Sequence, residues 1–353
     1  MDFSGLSRAE RMLLVIALLF IVLVAVKMTS FIVSLFLMSI IITMLGIPVL
    51  EWLRARGVPT GAAVMMITVI AGLIIGAFAL LTHLSLNMLL ADIPLFQKEL
   101  AARVAELSAV FAPLGFSFGD ELMHSLNLGQ IVTMGVAGLS GLSEGLMFLF
   151  FVAVTSFFLL LEIPNITLRL EERLGKDSPT MKQLSRMTGY IIDFIVVRTQ
   201  TNFIHGCLFG TFLAVMGVHA ALLWGMLTFL LGYIPYFGLL LAAIPAIFFA
   251  WLQFGIPGAL TVIVVVCILN LIVENPLYSY LTARKYEMPA LIVIVSVIFW
   301  GWLLGLVGML FAIPCTLMIL LICQLSDDLR WINVMLGVSH LFEEVGVKPV
   351  EHK

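Results

Sequence analysis

Apolar residues run through this chain in blocks too long for a soluble core, with short polar stretches between them. A helix needs about 20 apolar residues to cross a bilayer. Met12 to Leu50 is about twice that length, interrupted at Lys27–Ser30 and ended by Gly46 and Pro48. This pattern predicts a helical hairpin, as two crossings or one tight pair. A polar turn at Glu51–Pro59 carries Arg54 and Arg56, and a third span is predicted from Thr60 to Leu84. The period then changes. Leu89, Ile93, Phe96, Leu100, Val104, Leu107 and Phe111 recur at alternating helical steps, which is one apolar face of an amphipathic helix. Ala112–Asp120 reads as a turn, with Asp120 as the N-cap of a second short helix. Another span runs from Leu142 to Leu161 and should stop at Glu162 and Pro164. Asn165–Arg198 returns to helical stripes, first Ile166, Leu170 and Leu174, then Met181, Leu184, Ile191 and Ile195. Further spans are predicted at Phe203–Val218, Leu222–Phe254, Gly258–Leu277 and Ala290–Cys323.

The expected fold class is all-α, a polytopic helical membrane protein with about seven or eight transmembrane helices. Within the long C-terminal runs, re-entrant broken-helix hairpins and ordinary crossings both fit. The segments expected are membrane helices in 1–84, an extracytoplasmic amphipathic insert in 85–142, a transmembrane helix in 143–162 and a cytoplasmic amphipathic connector in 163–198. A membrane region with broken helices, 199–325, and a cytoplasmic tail, 326–353, complete the chain.

Composition agrees with the pattern and narrows the function. Of 353 residues, 62% are hydrophobic and 11% charged, a balance foreign to soluble domains. The formal net charge of -3, without a basic cluster, argues against a nucleic-acid partner. Charge instead reports sidedness. Arg169, Arg173, Lys176, Lys182, Arg186 and Arg198 place the connector in the cytoplasm, whereas residues 85–142 are poor in Lys and Arg and belong outside. Arg8, Arg11, Arg330, Lys348 and Lys353 put both termini in the cytoplasm. Cys207, Cys267, Cys315 and Cys323 all sit in apolar runs without metal-ligand spacing, so they read as packing residues, and no metal or cofactor is expected.

Candidate chemistry concentrates in the second half. From Thr228 to Pro276 an apolar run is broken by Gly232, Pro235, Gly238 and Pro245, and it closes on Asn270, Glu274, Asn275 and Pro276. Such breaks free backbone carbonyls and survive in a membrane where protein or a watery cavity covers them. A carboxylate kept in the bilayer marks a pathway, and Asn270 shares a helical face with Glu274. The other reading of Glu274 is interfacial, paired with Arg284 or Lys285. Gln200, Asn202 and His205 enter a span without a charged partner in sequence, and they either bond across helices or line a path. Gly206, Gly210 and Ala214 form a smooth ridge for close packing on that span. Gly301, Gly305, Gly308 and Pro314 mark a thin, bent helix, with Gly305 and Pro314 as candidate hinges. No zinc-protease, nucleophile-elbow or phosphate-loop signature is present, so the expected protein is not an enzyme.

Three blocks in order, GYIPYFGLLLAAIPA, ENPLYSYLTARKYEMPALIVI and GWLLGLVGMLFAIP, resemble the autoinducer-2 exporter family of bacterial and archaeal membrane proteins, the PerM-like permeases. The resemblance covers nearly the whole chain. It implies export of a quorum-sensing signal or another small molecule, in some members sodium or lithium exchange for protons, and a homo-oligomer in the bacterial or archaeal plasma membrane. This chain departs from the family at Leu239, where a proline usually follows the glycine at 238. The leading expectation is a secondary transporter of a small solute, with cation/proton antiport through Glu274 as its variant. The competing expectation is a non-transport scaffold whose amphipathic faces at Leu86–Phe111 and Asn165–Ile195 bind partners.

Overall fold

A computed structural model describes residues 7–111, 128–273, 288–326 and 329–338, and among these the chain is helical throughout. In order, the helices are α1 (Arg8–Met28), α2 (Ser30–Ala55), α3 (Thr60–Ala91), α4 (Ile93–Phe111), α5 (Leu128–Leu174) and α6 (Pro179–Met216). They continue as α7 (Ala221–Leu231), α8 (Gly238–Ile272), α9 (Ala290–Leu304), α10 (Leu306–Leu310), α11 (Ala312–Leu325) and α12 (Arg330–Met335). By length and composition α2, α3, α8 and the Glu144–Leu174 part of α5 can each cross a membrane. Leu13–Met28, Ala221–Leu231, Ala290–Leu304 and Ala312–Gln324 are shorter apolar segments. The protein is an all-α polytopic membrane protein.

Helix ends follow backbone chemistry more than hydropathy. Ser7 caps α1: its hydroxyl accepts from the Glu10 amide at 3.3 Å, while the Glu10 carboxylate accepts from the Ser7 amide at 2.8 Å. The amide bond from Ser7, joined by one from its hydroxyl, holds the Glu10 carboxyl below its usual range. Between α5 and α6 the chain turns through Gly175 at φ 82, and Ser178 caps α6 ahead of Pro179. The long α5 and α6 therefore run unbroken from the apolar region into the amphipathic stripes that flank it. Pro164 does not end α5, nor do Gly46 and Pro48 end α2. A proline removes its own N–H bond and crowds the carbonyl four residues back, and packing on either side carries the helix past that cost.

The predicted hairpin at Lys27–Ser30 is not formed. Only Thr29 separates α1 from α2, near-helical at φ -101, ψ 19, with bonds Thr29 N→Ala25 O and Val33 N→Thr29 O on either side. Instead of folding back along α2, α1 leaves most of its side chains open.

Two main cores organise the bundle. At one end, Phe96, Leu100 and Val104 of α4 pack with Phe209 and Leu213 of α6, Trp224 of α7 and Phe249 of α8. This is the amphipathic face read from the sequence, and each such side chain withdraws enough apolar area to stabilise the fold by about 2 kcal/mol. At the other end, Ile191 and Ile195 of α6 meet Ile41 of α2 and Cys315, Leu317 and Leu320 of α11. The α4 face at Phe96–Val104 and the Ile191–Ile195 end of the second stripe are thus consumed inside the chain, whereas Ile166 and Leu174 stay exposed. A smaller core of Leu50, Leu53, Ala63, Val64 and Leu160 ties α2 and α3 to α5.

The C-terminal half contains two reversals. α7 and the first half of α8 form a hairpin: Trp224 stacks on Phe249 at 5.5 Å, and the His219 amide donates to Gln253 Oε1 at 3.1 Å. α9 and α10 reverse at Gly305, φ 68 and ψ -145. The two meet where Ile234 packs with Val297 and Ala312.

Candidate functional site

Arg198, Thr201, Asn202 and His205 fall at helical steps along α6, so they share one face. All are buried, at 8%, 0%, 2% and 4% exposure. That face lies against α7 because two helices approach through glycines. A Cβ on Gly206 would stand 2.6 Å from the Gly225 carbonyl, and one on Gly225 would stand 2.8 Å from the Gly206 carbonyl. The predicted ridge is real at Gly206 and Gly210, whereas Ala214 faces outward.

α7 stops at Gly232, and the chain turns through Tyr233–Phe237 before α8 begins. Pro235 has no N–H to return to the Leu231 carbonyl, which accepts from Ile234 N instead, at 2.8 Å. Tyr236 adopts a left-handed φ of 64. The Gly232 carbonyl loses its helical partner and receives the guanidinium of Arg198, from Nε at 2.9 Å and also from Nη2. Bonds to a charged donor contribute about 1.5 to 3 kcal/mol, and here one also satisfies a carbonyl that the break would strand. One residue on, Thr199 Oγ1 and Tyr233 OH are 2.6 Å apart, and the Tyr233 ring lies 5.8 Å from Phe311. Asn202 presses on the break directly: a Cβ at Gly232 would sit 2.6 Å from its Oδ1. Asn202 Nδ2 and Thr201 Oγ1 are buried with no hydrogen-bond partner among the described residues. Beside the turn, an apolar cleft of about 290 Å³ lies among Ile234, Val297, Gly301, Trp302 and Met309.

The sequence-predicted residues divide. Asn202, Gly232, Pro235 and Gly238 come together at this turn, and His205 is buried about one helical turn along α6 from Asn202. Gln200 lies on the exposed side of α6, and Asn270 is exposed on α8. Glu274, Asn275 and Pro276 lie outside the described residues. Pro245 is not a break, since α8 runs through it and leaves helical geometry only at Gly255. Pro314 begins rather than bends a helix: it stands in the first turn of α11, where a missing N–H costs no internal bond. Gly305 is a true reversal.

Arg198, Thr199, Thr201 and Tyr233 were missed. Arg198 is both the last charge of the connector and the head of a polar stripe with helical spacing inside an apolar helix, and that spacing is its signal in the sequence. The group offers hydrogen-bond donors and acceptors. No set of three or more His, Cys, Asp or Glu suited to a metal ion occurs among the described residues.

The model of the AI-2E family transporters matches residues 13–326. The chain belongs to the AI-2E transporter family. Among its relatives, it is 27% identical over 330 residues to the AI-2 transport protein TqsA of Escherichia coli K12, covering 93% of this chain and 95% of that protein. It is 25% identical over 305 residues to the putative transport protein YhhT of the same organism, covering 86% and 87%. The putative transport protein YrrI of Bacillus subtilis is 23% identical over 298 residues, covering 79% and 82%. Membership of this family and the apolar helices together make the protein a multi-pass membrane transporter, and its relatives are named as transport proteins.

Proposed function

We propose that this AI-2E family transporter exports a small polar solute, driven by a gradient or by facilitated passage, along a path bordered by the Gly232–Phe237 turn and the Arg198–His205 face of α6. A quorum-sensing signal such as autoinducer-2, the solute in the name of its relative TqsA, is the first candidate. One observation carries the proposal: a broken helix held by a buried arginine, beside Asn202 Nδ2 and Thr201 Oγ1 that are buried and unpaired among the described residues. Buried polar atoms without partners are rare, and they suit a place where a solute's oxygen atoms exchange with protein groups. The scaffold alternative is weakened because Phe96, Leu100, Val104, Ile191 and Ile195 are spent on the chain's own cores. We further propose a plasma-membrane location with both termini in the cytoplasm, and a homo-oligomer.

Purified protein in liposomes loaded with autoinducer-2 tests the reading. Efflux should exceed that from empty liposomes and fall sharply in Asn202→Leu, whereas Glu274→Gln should keep it. Loss of activity in Glu274→Gln, with sodium or lithium moving against protons, would replace solute export by antiport.

A further inference from the structure

The α7–α8 hairpin has a second end, opposite the Gly232–Phe237 turn, and a helix that contributes nothing to the candidate path holds it. α8 is interrupted at Gly255, φ 69 and ψ -161, a conformation essentially restricted to glycine. A helix running on would give the Leu252 carbonyl the amide of Ile256, and the Gln253 carbonyl the amide of residue 257. Residue 257 is a proline and has none. Arg103 of α4 supplies both missing donors: Nε bonds the Leu252 carbonyl at 3.0 Å and Nη2 the Gln253 carbonyl at 3.0 Å. Its remaining nitrogen, Nη1, bonds Glu106 Oε1 at 2.9 Å and Oε2 at 2.8 Å.

Gln253 is held from a second direction. Its side chain accepts the amide of His219, in the short connection between α6 and α7. The His219 carbonyl in turn accepts from Trp224 Nε1 at 2.9 Å, and the His219 ring stands edge-on to Phe96 of α4 at 5.2 Å. The start of α7 and the end of the first half of α8 are thereby gathered under α4. Ala220, the residue before α7, carries a left-handed φ of 56, so this corner holds backbone strain as well.

The surroundings of Arg103 differ from those of Arg198 in one respect that bears on motion. The Arg103 side chain is 21% exposed and its partner Glu106 is 61% exposed. When the Arg103 bonds part, its guanidinium stays within reach of water and of the Glu106 carboxylate. The contact can open and close at modest cost, which a fully buried pair cannot do.

We propose that Arg103 is a positioning residue for transport: its bonds to the Leu252 and Gln253 carbonyls latch the α7–α8 hairpin shut at the α4 end, and solute passage requires them to part. The latch rests on the transport reading above, and it assigns α4 the part of an outer gate.

Two measurements on the full-length chain test it. In the first, hydrogen exchange is followed in vesicles. Arg103→Ala should speed exchange at the amides of 250–256 by roughly tenfold or more and leave those of 41–50 unchanged, with Arg103→Lys intermediate. Unchanged exchange in Arg103→Ala overturns the latch. In the second, Arg103→Cys and Gln253→Cys are joined by a reducible bifunctional thiol reagent in a chain whose four native cysteines are alanine. Autoinducer-2 efflux should fall by roughly tenfold or more on cross-linking and return on reduction, an effect a purely structural cap would not give. Undiminished efflux in the cross-linked protein overturns the proposal. If autoinducer-2 fails to move even in the unaltered chain, the transport reading is what fails, and exchange at 250–256 alone decides whether the latch exists.

Discussion

The break at Gly232–Phe237 and the break at Gly305 solve the same problem in different surroundings. Each strands backbone carbonyls inside an apolar bundle, and each is met by a basic side chain from another helix. Arg198, itself buried, serves the Gly232 carbonyl, while Lys27, exposed at the end of α1, serves the Trp302 carbonyl and lies 5.5 Å from the Trp302 ring. At the first break stand Thr199 and Asn202, and the same helix buries Thr201 and His205 beside them in sequence. Around the second the chain closes on itself: a Cβ at Gly308 would collide with the Trp300 carbonyl, and one at Gly301 would sit 2.6 Å from Met309 Cγ. Its polar contacts, Ser34 Oγ to the Leu304 carbonyl at 3.4 Å and Trp300 Nε1 to Thr316 Oγ1 at 3.0 Å, hold the reversal in place. A bend alone does not make a pathway. Buried polar groups beyond those the bend consumes distinguish the first break from the second.

The contrast is open to attack, most severely at Gly308. Because backbone stands in the way of any added Cβ, Gly308→Ala should cost more than about 3 kcal/mol and lower thermal stability in detergent more than any other change named here. A melting temperature like that of the parent would mean the second reversal is not closely packed. Next in size, Arg198→Ala should cost about 2 kcal/mol and abolish efflux, because a buried carbonyl loses a charged donor. Lys27→Ala, an exposed contact, should cost under about 1 kcal/mol and spare efflux. Equal losses in the two variants would erase the difference between the breaks. The smallest effects belong to Gln200→Ala and Asn270→Ala: both side chains are exposed, and stability should stay within about 0.5 kcal/mol of the parent with efflux kept. Loss of efflux in either would move the path to the outer surface of the bundle.

Much of this was legible in the residues. Apolar run length showed a polytopic helical membrane protein, the spacing of four between Phe96, Leu100 and Val104 showed the face of α4, and Gly232 with Pro235 marked a break. Other proline signals misled. Pro48, Pro164 and Pro245 lie within helices, because losing one N–H bond does not end a helix that packing supports. The discriminating residues were glycines: Gly305, which the sequence marks as a hinge, and Gly255, which it does not.

By itself the sequence determined that these helices form and that they belong in a membrane, since both follow from local propensity and from the transfer of apolar side chains out of water. It also determined where polar residues enter apolar segments. Only the tertiary structure decided which of them matter together. Arg198 and Gly232 are 34 positions apart, and Arg103 and Leu252 are 149. A carbonyl freed by a helix break is satisfied by whichever donor the packing brings within reach, and that depends on how closely glycines such as Gly206 and Gly225 let distant helices approach.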